Sequence, residues 1–465
     1  MNTAELEQPI YSIAQVREIE RRAIQGLGIP GYTLMTRAAT AALRKLRAQW
    51  PRAQRIRVVC GAGNNAGDGY VLARLAKTVG LDVRVGYLCD PTKLQGDAQT
   101  AYAEAQSAGV VMTPFNARVC ADAEVIVDAL LGTGLQRLVI DAWADAIAVM
   151  NAAAAPILAL DIPSGLHADS GAVLGAAVRA DLTVTFMAPK LGLYLGRAAE
   201  QVGQVVLAGL DIPATAFEGI EPAAWQVDVN WLRAALPGAR ARTAHKGDFG
   251  HVLVVGGQPG MSGAARLAAE AALRVGAGLV SVATHSQNAA TLNIGRPELM
   301  CHAIEDAAML QPLLERATVL ALGPGLGQGD WSRTVLAAVW DRSLPMIVDA
   351  DALNLLAQEP QRREEWILTP HPGEAARLLG CSTAEVQADR LAAVQAIQSR
   401  YGGVVVLKGA GTLITDGNRC RISCAGNPGM AGGGMGDVLS GVIAGLYAQG
   451  MSLFDAAAAG VVAHG

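Results

Sequence analysis

The sequence predicts two consecutive α/β domains, because short runs of β-branched residues alternate with helical patterns in both halves of its 465 residues. The alternation is interrupted at about 211–245, where three prolines fall in a stretch without a regular period. We therefore place the domain junction in that stretch. Glycine-rich or polar segments follow several of the predicted strands, as in α/β domains that bind ligands at the carboxyl ends of a parallel sheet.

The composition excludes several classes of protein. Hydrophobic residues make up 51% of the chain and aromatic residues only 4%, so Ala, Val, Leu and Gly must fill a core of closely packed elements. A net charge of −4 gives no reason to expect nucleic acid or an anionic membrane as a partner. The first residues lack the basic and apolar regions of a signal peptide, and no apolar run reaches about 18 residues, so we expect no membrane span. The seven cysteines are scattered without the spacing of a zinc site, which favours a reducing cytoplasm over disulfides.

Five strands are predicted in the front half. They read RIRVVC (55–60), DVRVGYL (82–88), EVIVDAL (124–130), PILALDI (156–162) and LTVTF (182–186). Helices with Ala and Leu spacing, such as 69–79 and 97–108, lie between them. This order predicts a parallel, doubly wound sheet covered by helices on both faces.

A second series of strands begins after the junction. It opens with HVLVVGG (251–257) and continues with LVSVAT, TVLALG, PMIVDA and VVVLKG, and no residue-level repeat relates it to the first series. The last residues, 454–464, read as an apolar helix without a capping sequence or a basic last turn. We therefore expect a C-terminus that is truncated or disordered.

A glycine-rich segment, GAGNNAGDG (61–69), comes directly after a front strand and directly before a helix. Its glycines let the backbone approach a ligand, and the N-terminus of the helix favours a phosphate-bearing one. Gly61, Gly63 and Ala66 fit the dinucleotide-binding pattern, with Asp90 at the spacing of a ribose-binding acid. That pattern is weak when it stands alone. The two Asn and the Gly-Asp-Gly that accompany it are more specific.

Two further polar segments follow front strands. VDALLGTG places Asp128 at one strand end, and LDIPSG places Asp161 and Ser164 at the next. Because the carboxyl ends of neighbouring parallel strands share one crevice, we expect all three segments to converge on a site. The alternative, favoured for any one segment alone, is that these residues only cap helices and form turns.

Together these segments resemble the N-terminal, Rossmann-like epimerase domain of the bifunctional NAD(P)H-hydrate repair enzymes, over about residues 1–217. The resemblance implies that Asp161 lies beside the hydrated nicotinamide as acid or base. It also implies a potassium site at Asn65, Asp128 and Ser164. Two substrate-binding loops are implied, one of Asn64, Asn65, Ala66, Gly67 and Asp68 and one of Gly132, Thr133, Gly134, Leu135, Gln136, Arg137 and Leu138. The family usually has Gly where this chain has Ala66, a small residue that still fits.

The most distinctive motif of the back half is AGNPGMAGGGMGDVLSGVIAGL (425–446). Its glycines at 432, 433, 434 and 436 precede a helix predicted to begin near Asp437, so their N–H groups suit a phosphoryl group in transfer. Asp437, at the mouth of this anion hole, could accept a hydroxyl proton as the catalytic Asp of kinases does. A packing turn with a capping Asp is the alternative, but it does not explain four glycines in five positions.

Two neighbouring motifs support a nucleotide site. LKGAGT (407–412) is a strand end with Lys408 and a glycine-rich turn, which suits the holding of phosphates. TPHPGE (369–374) puts His371 and Glu374 three residues apart at a helix start, where Glu374 could hold a Mg²⁺-bound water. The alternative for His371 is a hydrogen-bonding role at the start of the helix.

These motifs, with HKGDFGHVLVVGG, GMSGAARLAAEAALRVGAGLV and GPGLG, resemble the ribokinase-like ADP/ATP-dependent NAD(P)H-hydrate dehydratases over about 226–465. The resemblance implies that the hydrate contacts Ala264, Gly325, His371 and Asp437. It implies that the adenine nucleotide contacts Lys408, Gly409, Ala410, Gly411, Thr412 and Gly436. Family members usually run some tens of residues beyond the HG at 464–465, bacterial relatives tend towards ADP, and relatives form dimers or larger assemblies. We therefore expect ADP as donor and a homo-oligomer.

The function implied is the repair of NADH and NADPH whose nicotinamide ring has added water. The front domain would interconvert the R and S hydrates, and the back domain would phosphorylate the hydroxyl of the S form so that phosphate leaves. Three alternatives are a ribokinase-like kinase of small molecules such as hydroxymethylpyrimidine or hydroxyethylthiazole, a front domain that only binds, and a Rossmann dehydrogenase. The last lacks a recognisable set of hydride-transfer residues, and the intact polar set of Asn64, Asn65, Asp68, Asp128 and Asp161 argues against mere binding.

Overall fold

The computed structural model of the protein describes residues 3–465, which form two compact units. The front unit comprises Pro9–Ala223. The back unit comprises Ala224–Gly465 together with the residues up to Gln8. Within the described residues, no helix combines the length and the apolar character needed to cross a membrane.

The N-terminal residues join the back unit through an ion pair. The carboxylate of Glu7 accepts hydrogen bonds from Arg421 at 2.7 and 3.0 Å, and Asp455 accepts a third from the same guanidinium at 2.7 Å. The functional boundaries expected from the sequence, 1–217 and 226–465, stay predictions.

The front unit contains a seven-stranded sheet, in which every neighbouring pair of strands is parallel. After the first strand of the chain, β1 (Gln8–Ile10), the sheet strands are β2 (Arg55–Cys60), β3 (Asp82–Tyr87), β4 (Val111–Pro114), β5 (Val125–Ala129), β6 (Ile157–Leu160), β7 (Leu182–Phe186) and β8 (Gln204–Ala208). Their order is β4-β3-β2-β5-β6-β7-β8, so the chain reverses its direction of travel between β2 and β5. Ligands of doubly wound sheets bind at the carboxyl ends of strands beside such a reversal.

Helices cover the front sheet through small side chains. They are α1 (Ile13–Arg21), α2 (Gly31–Gln49), α3 (Asn64–Thr78), α4 (Gly96–Ser107), α5 (Arg118–Ala121) and α6 (Asp141–Ala152). Buried alanines of α2 and α3 pack in one core with the strands, which agrees with the low aromatic content. Shorter turns of 3-10 or π helix lie at Thr3–Leu6, Arg22–Gly26, Pro91–Lys93, Leu191–Leu193, Gly196–Glu200 and Ala214–Ala216.

The back unit contains a larger sheet that is mostly parallel. Its strands are β9 (Ala224–Gln226), β10 (His251–Val255), β11 (Leu279–His285), β12 (Met300–Ile304), β13 (Val319–Leu322), β14 (Met346–Val348), β15 (Trp366–Leu368), β16 (Val404–Leu407), β17 (Thr412–Thr415) and β18 (Cys420–Ser423). They are ordered β9-β18-β17-β16-β15-β14-β13-β10-β11-β12. Within this run, only β17 is antiparallel to its neighbours, β16 and β18.

The helices of the back unit position its glycine-rich motif. They are α7 (Val229–Ala235), α8 (Ser262–Arg274), α9 (Ser286–Ala289), α10 (Ala307–Leu314), α11 (Asp330–Trp340), α12 (Ala350–Gln358), α13 (Pro372–Leu379), α14 (Thr383–Ala388), α15 (Arg390–Tyr401), α16 (Met435–Ala448) and α17 (Leu453–His464), with 3-10 turns at Lys246–Phe249 and Pro428–Met430. Helix α16 packs so closely on α8 that a Cβ at Gly441 would overlap the carbonyl oxygen of Ala268.

The predicted α/β fold is confirmed, and two of its helices start earlier than expected. Helix α3 begins at Asn64 and not at 69, and α16 begins at Met435 and not near Asp437. In both motifs, the glycines of the first helical turn led to the prediction of a loop. The glycine just before each helix has a positive φ, 95° for Gly63 and 88° for Gly434, whereas those of the first turn do not. The polar residues of both motifs therefore lie in first helical turns.

Candidate active sites

The front unit contains a cavity of about 730 Å³ at the carboxyl ends of its central strands. The segments after β2, β5 and β6 all contribute to it, which brings the three polar segments together. Of the residues expected to bind substrate, Asn64, Asn65, Asp68, Gly132, Thr133, Gly134, Leu135, Gln136, Arg137 and Asp161 line the cavity. Ala66 and Gly67 are buried within the first turn of α3, and Leu138 is 63% exposed. Asp90 caps the turn at Pro91–Lys93 instead of facing this cavity.

Asp161 is held at the wall of the cavity by an ion pair with Lys190. The Lys190 ammonium donates hydrogen bonds to a carboxylate oxygen of Asp161, to the carbonyl oxygen of Phe186 at 2.6 Å and to the Thr185 hydroxyl at 3.1 Å. Asp161 also accepts a hydrogen bond from the Phe186 N–H at 3.0 Å. Its φ of 66° is unusual for a residue other than glycine, and strain of this kind is concentrated at functional sites.

Asp68 and Glu20 add two carboxyl groups to the same cavity. Burial raises the pKa of Asp68 well above the usual range, and the charges of Asp161 and Glu20 raise it further, while Lys190 opposes them. Burial, followed by the charge of Asp161, also raises the pKa of Glu20. The cavity therefore favours the protonated form of Asp68 beside an Asp161 carboxylate that is paired with a cation.

Asp128 and Ser164 bond one another, and Ser164 and Asn65 both bond the backbone of Leu131. The buried Asp128 carboxylate accepts hydrogen bonds from the Ser164 hydroxyl at 2.6 Å and the Ser164 N–H at 2.8 Å. Burial raises the pKa of Asp128 to about 6, against the opposing effect of these hydrogen bonds. The Asn65 side-chain nitrogen donates to the Leu131 carbonyl at 3.0 Å, whereas its buried Oδ1 has no hydrogen-bond partner.

The back unit contains a second polar cavity, of about 400 Å³. It is lined by Asp349, Ala350, His371, Pro372, Glu374, Lys408, Gly409, Gly436 and Asp437. These residues come from the carboxyl ends of β14, β15 and β16 and from the first turn of α16. Six of the residues predicted from the sequence thus meet here: His371, Glu374, Lys408, Gly409, Gly436 and Asp437.

Other predicted residues of the back unit lie outside the lining of this cavity. Gly325 and Ala264 adjoin one another, since a Cβ at Gly325 would lie 3.1 Å from that of Ala264. Ala410, Gly411 and Thr412 continue the segment that begins at Lys408.

A buried carboxylate, Asp349, connects the cavity lysine to helix α16. Lys408 donates a hydrogen bond to Asp349 at 2.7 Å, and the Ser440 hydroxyl donates to its second oxygen at 2.7 Å. Burial opposes ionisation of Asp349, but the Lys408 charge and these hydrogen bonds outweigh it and lower the pKa. Gly436 permits the arrangement, because a Cβ there would lie 3.1 Å from the Lys408 ammonium nitrogen.

The other two carboxyl groups of the cavity have raised pKa values. Burial and the charge of Asp349 raise the pKa of Asp437 to about 6, although Lys408 opposes the rise. Burial raises the pKa of Glu374 to about 7. Among residues 3–465, no group of three or more His, Cys, Asp or Glu side chains could hold a metal ion.

His371 caps the start of α13, which was the alternative role predicted for it. Its Nδ1 accepts hydrogen bonds from the N–H groups of Gly373 at 2.9 Å and Glu374 at 3.3 Å, and the Glu374 carboxylate accepts from the His371 N–H at 2.8 Å. The ring is half exposed, and it lies in the cavity wall with Nε2 3.3 Å from Glu374. Capping and a site role are therefore compatible, because they use different ring nitrogens.

The sequence interpretation missed Arg17, Glu20 and Lys190 in the front cavity and Asp349 in the back cavity. Asp349 stands in the predicted strand PMIVDA, so its place at a strand end was a usable signal. Arg17 and Glu20 lie on α1, far from the glycine-rich motifs in sequence, and only the tertiary fold brings them to the site.

Two family profiles match the chain, one for each unit. The profile described as YjeF-related protein N-terminus matches residues 31–192, and that of NAD(P)H-hydrate dehydratase matches residues 252–465. A bifunctional NAD(P)H-hydrate repair enzyme of Coxiella burnetii is 50% identical over 98% of this chain and 93% of its own length. That of Escherichia coli is 45% identical over 100% of this chain and 90% of its own length. The chain belongs to the bifunctional NAD(P)H-hydrate repair enzymes.

This membership agrees with the two separate polar cavities, one in each unit of the repair enzyme. Among solved structures, an ADP/ATP-dependent NAD(P)H-hydrate dehydratase of Bacillus subtilis, co-crystallised with ATP and Mg²⁺, is 29% identical. The match covers 51% of this chain and 85% of the Bacillus subtilis chain, with a TM-score of 0.44.

Proposed function

We propose that the front cavity interconverts the R and S hydrates of NADH and NADPH and that the back cavity dehydrates the S form with an adenine nucleotide as phosphoryl donor. The observation that carries this proposal is the pair of carboxyl-lined cavities in a chain that matches its relatives over both units. ADP is the donor that we favour, with ATP as the alternative. The homo-oligomer and the cytoplasmic location expected from the sequence stay predictions.

In the back cavity, Asp437 would accept the proton of the hydrate's hydroxyl group as the oxygen attacks the terminal phosphorus. The raised pKa of Asp437, about 6, suits this task, because the carboxylate is ionised at neutral pH yet remains a useful base. Lys408, held by Asp349 at 2.7 Å, would face the phosphates, and the N-terminus of α16 would stabilise the charge that develops on them.

The dehydration then completes itself. The ring nitrogen lone pair expels the phosphate as the C–O bond breaks, which leaves a cationic ring. Loss of a proton from the adjacent ring carbon, C5, to water or to the departing phosphate then restores the double bond, so the products are NAD(P)H, inorganic phosphate and the shortened nucleotide. Mg²⁺, when bound, would neutralise charge on the phosphates, and the Glu374 carboxylate would hold one of its water ligands. Glu374 fits that role, because it is buried in the cavity wall and its ionisation would be favoured by a nearby cation.

Dehydration should weaken as the pH falls through about 6, because Asp437 must be ionised to accept a proton and its pKa is raised to about 6. The measurement is kcat/KM for the S hydrate at saturating nucleotide as a function of pH. A Glu374→Gln variant should keep this acidic limb, since Glu374 titrates higher, at about 7.

The terminal phosphate of the nucleotide also titrates in this range. A thiophosphate analogue, whose ionisation occurs at lower pH, separates the two groups. A limb that moves with the analogue belongs to the nucleotide and would contradict the assignment to Asp437.

In the front cavity, loss of the hydroxyl group from the hydrate needs a proton donor. Asp68 suits that role because burial raises its pKa, and Asp161 suits the opposite role because Lys190 holds its negative charge in place. The protonated Asp68 would release water from the ring carbon, and the ring nitrogen lone pair would stabilise the resulting cation. Water would then add to the opposite face of the ring with Asp161 as base, which gives the other epimer. Exchange with solvent would return the proton from Asp161 to Asp68 before the next turnover.

The residues behind the front cavity fit a potassium ion. Asn65 Oδ1 is buried without a hydrogen-bond donor, and the Asn65 amide and the Ser164 hydroxyl, which bonds the buried Asp128 carboxylate, both contact the Leu131 backbone. Unpartnered buried oxygens are costly, and oxygen-only ligands suit a hard cation. When bound there, potassium would balance the charge of Asp128 and order the segment from Leu131 to which Asn65 is bonded.

Replacing K⁺ by a bulky organic cation at constant ionic strength should slow epimerisation while dehydration of the pure S hydrate continues. We expect a loss of roughly tenfold, the effect of about 1.4 kcal/mol of binding energy. Asp128→Asn should lower the affinity for K⁺, because it removes the negative charge at the site, so half-maximal epimerisation should need a higher K⁺ concentration. If epimerisation proceeds equally well without K⁺, the assignment of a potassium ion to this site is wrong.

The function is tested by mixing the full-length protein with an R/S mixture of hydrated NADH, ADP or ATP, Mg²⁺ and K⁺. The near-ultraviolet absorbance of reduced nicotinamide reports recovery. Full recovery with one nucleotide supports both activities and identifies the donor. Recovery of only the S fraction would mean that the front unit only binds. A stable phosphorylated small molecule, with no recovery, would favour the rival kinase function.

A further inference from the structure

Arg390 is a buried cation that lies directly against the segment Lys408–Thr412. It is the first residue of α15 and is 1% exposed. Its Nη2 donates to the backbone carbonyl oxygens of Leu407 and Lys408, both at 3.2 Å, and to that of Gly411 at 3.4 Å. The guanidinium thus contacts both ends of the loop proposed to hold the nucleotide.

Within the part of the chain that the structure describes, no carboxylate pairs with Arg390, and its one side-chain acceptor is an amide. Among the described residues, the other buried cations each pair with at least one carboxylate: Arg57 with Asp82 and Asp122, Lys190 with Asp161, and Arg421 with Glu7 and Asp455. The only side chain that accepts from Arg390 is the neutral Gln387, at 3.0 Å. The neighbouring Asp389 uses its carboxylate to cap α15, by accepting from the Ala392 N–H at 3.0 Å.

Two features of its position make this unpaired charge unfavourable. Burial alone lowers the pKa of Arg390 to about 10, which still leaves it protonated at neutral pH. The first turn of a helix carries partial positive charge, which disfavours a cation there. A buried charge without a counter-ion is costly, so the arrangement favours an anion that is supplied from outside the chain.

The loop is shaped so that it can approach the guanidinium. A Cβ on Gly409 would lie 3.2 Å from both Nη1 and Nη2, closer than a side chain fits comfortably, and the φ of Gly409 is 135°. In a trans peptide the carbonyl and the following N–H point in opposite directions. Because the Lys408 carbonyl faces Arg390, the Gly409 N–H points to the other side of the loop, and Gly409 also lines the back cavity.

We propose that Arg390 is a positioning residue for the adenine nucleotide, whose phosphates would supply the missing counter-charge across the Lys408–Thr412 loop. The guanidinium orders the loop carbonyls and leaves the loop N–H groups for the phosphates. This inference rests on the proposed assignment of the loop to the nucleotide.

Arg390→Gln should weaken binding of ADP to the full-length protein by about ten- to a hundredfold, as expected for loss of charge-assisted contacts. Binding is measured by isothermal titration calorimetry. The loss of affinity should be smaller for AMP than for ADP, because AMP carries less charge. The affinity for ADP should also depend less steeply on salt concentration than in the unmodified protein. Arg390→Lys, which keeps the charge but not the fork of donors, should restore part of the affinity.

Arg400→Gln is the matched control. Arg400 lies on the same helix and also donates to a backbone carbonyl, that of Leu378 at 2.8 Å, but it does not contact the loop. The Arg400→Gln variant should bind ADP with the affinity of the unmodified protein. Thermal unfolding checks the back unit of each variant, and epimerisation checks the front unit.

Equal losses for AMP and ADP with unchanged salt dependence, or no rescue by Arg390→Lys, would show a purely structural role and overturn the inference. A Gly409→Ala variant separates this failure from that of the proposed site. If Gly409→Ala weakens ADP binding and Arg390→Gln does not, only the role of Arg390 fails. If neither does, the loop does not hold the nucleotide, and both proposals fail together.

Discussion

Asp437→Asn is expected to abolish nucleotide-dependent dehydration and to leave the interconversion of R and S hydrates intact. The amide keeps the size of the side chain but cannot accept a proton, and loss of a general base typically costs about 10²–10⁴-fold in rate. Recovery of reduced nicotinamide from the pure S hydrate measures the first activity. Chromatographic separation of the two epimers measures the second.

Asp351→Asn is the matched control for this variant. Asp351 carries a negative charge that contributes to the raised pKa of Asp437, but it accepts its hydrogen bond from the Gly327 N–H at 2.8 Å and lies outside the lining of the back cavity. Its amide should therefore change dehydration little. Loss of both activities in a folded Asp437→Asn protein would refute the division of labour between the units.

The strands were the most predictable part of the fold. In the front half, all five predicted strands occur within two residues of the expected ends, because buried parallel strands are continuous runs of β-branched and aliphatic residues. Other strands escaped prediction: β4 and β8 in the front half, and β9, β12, β15, β17 and β18 in the back half. Of two strands with only three residues each, Met346–Val348 was predicted as part of PMIVDA and Trp366–Leu368 was not. The hairpin of β17 and β18 was signalled by Asp-Gly-Asn at 416–418, a turn sequence that was not used.

The site was predictable to the extent that its residues follow strands directly. Asp161 follows β6 directly and lies in a cavity wall, whereas Asp437, in the wall of the other cavity, was predicted from the glycine-rich motif at the start of α16. Lys190 could not be predicted as the partner of Asp161, because it follows β7 by four residues and reaches back to the end of β6. The absence of a carboxylate at Arg390 is equally invisible in the sequence, since it depends on which side chains surround a buried position.

Asp161→Asn is expected to abolish epimerisation and to leave dehydration of the S hydrate unchanged. The amide removes both the base and the negative charge that would stabilise a cationic ring, so a loss of about 10²–10⁴-fold is expected. With a mixture of hydrates, the variant should recover rapidly only the S fraction of reduced nicotinamide. Asp97→Asn, which changes another carboxyl group in the lining of the same cavity, is the control and should retain epimerisation.

The same substitution leaves Lys190, which is 1% exposed, without its carboxylate partner. Removing one member of a buried ion pair can cost about 3–5 kcal/mol of stability, so lost activity alone would not distinguish chemistry from unfolding. The double variant Asp161→Asn, Lys190→Met removes both charges and should regain much of the lost stability in thermal unfolding. If stability returns and epimerisation does not, the carboxylate acts in the reaction itself. If epimerisation returns with stability, Asp161 serves only to hold Lys190, and the acid–base role passes to another group of the cavity.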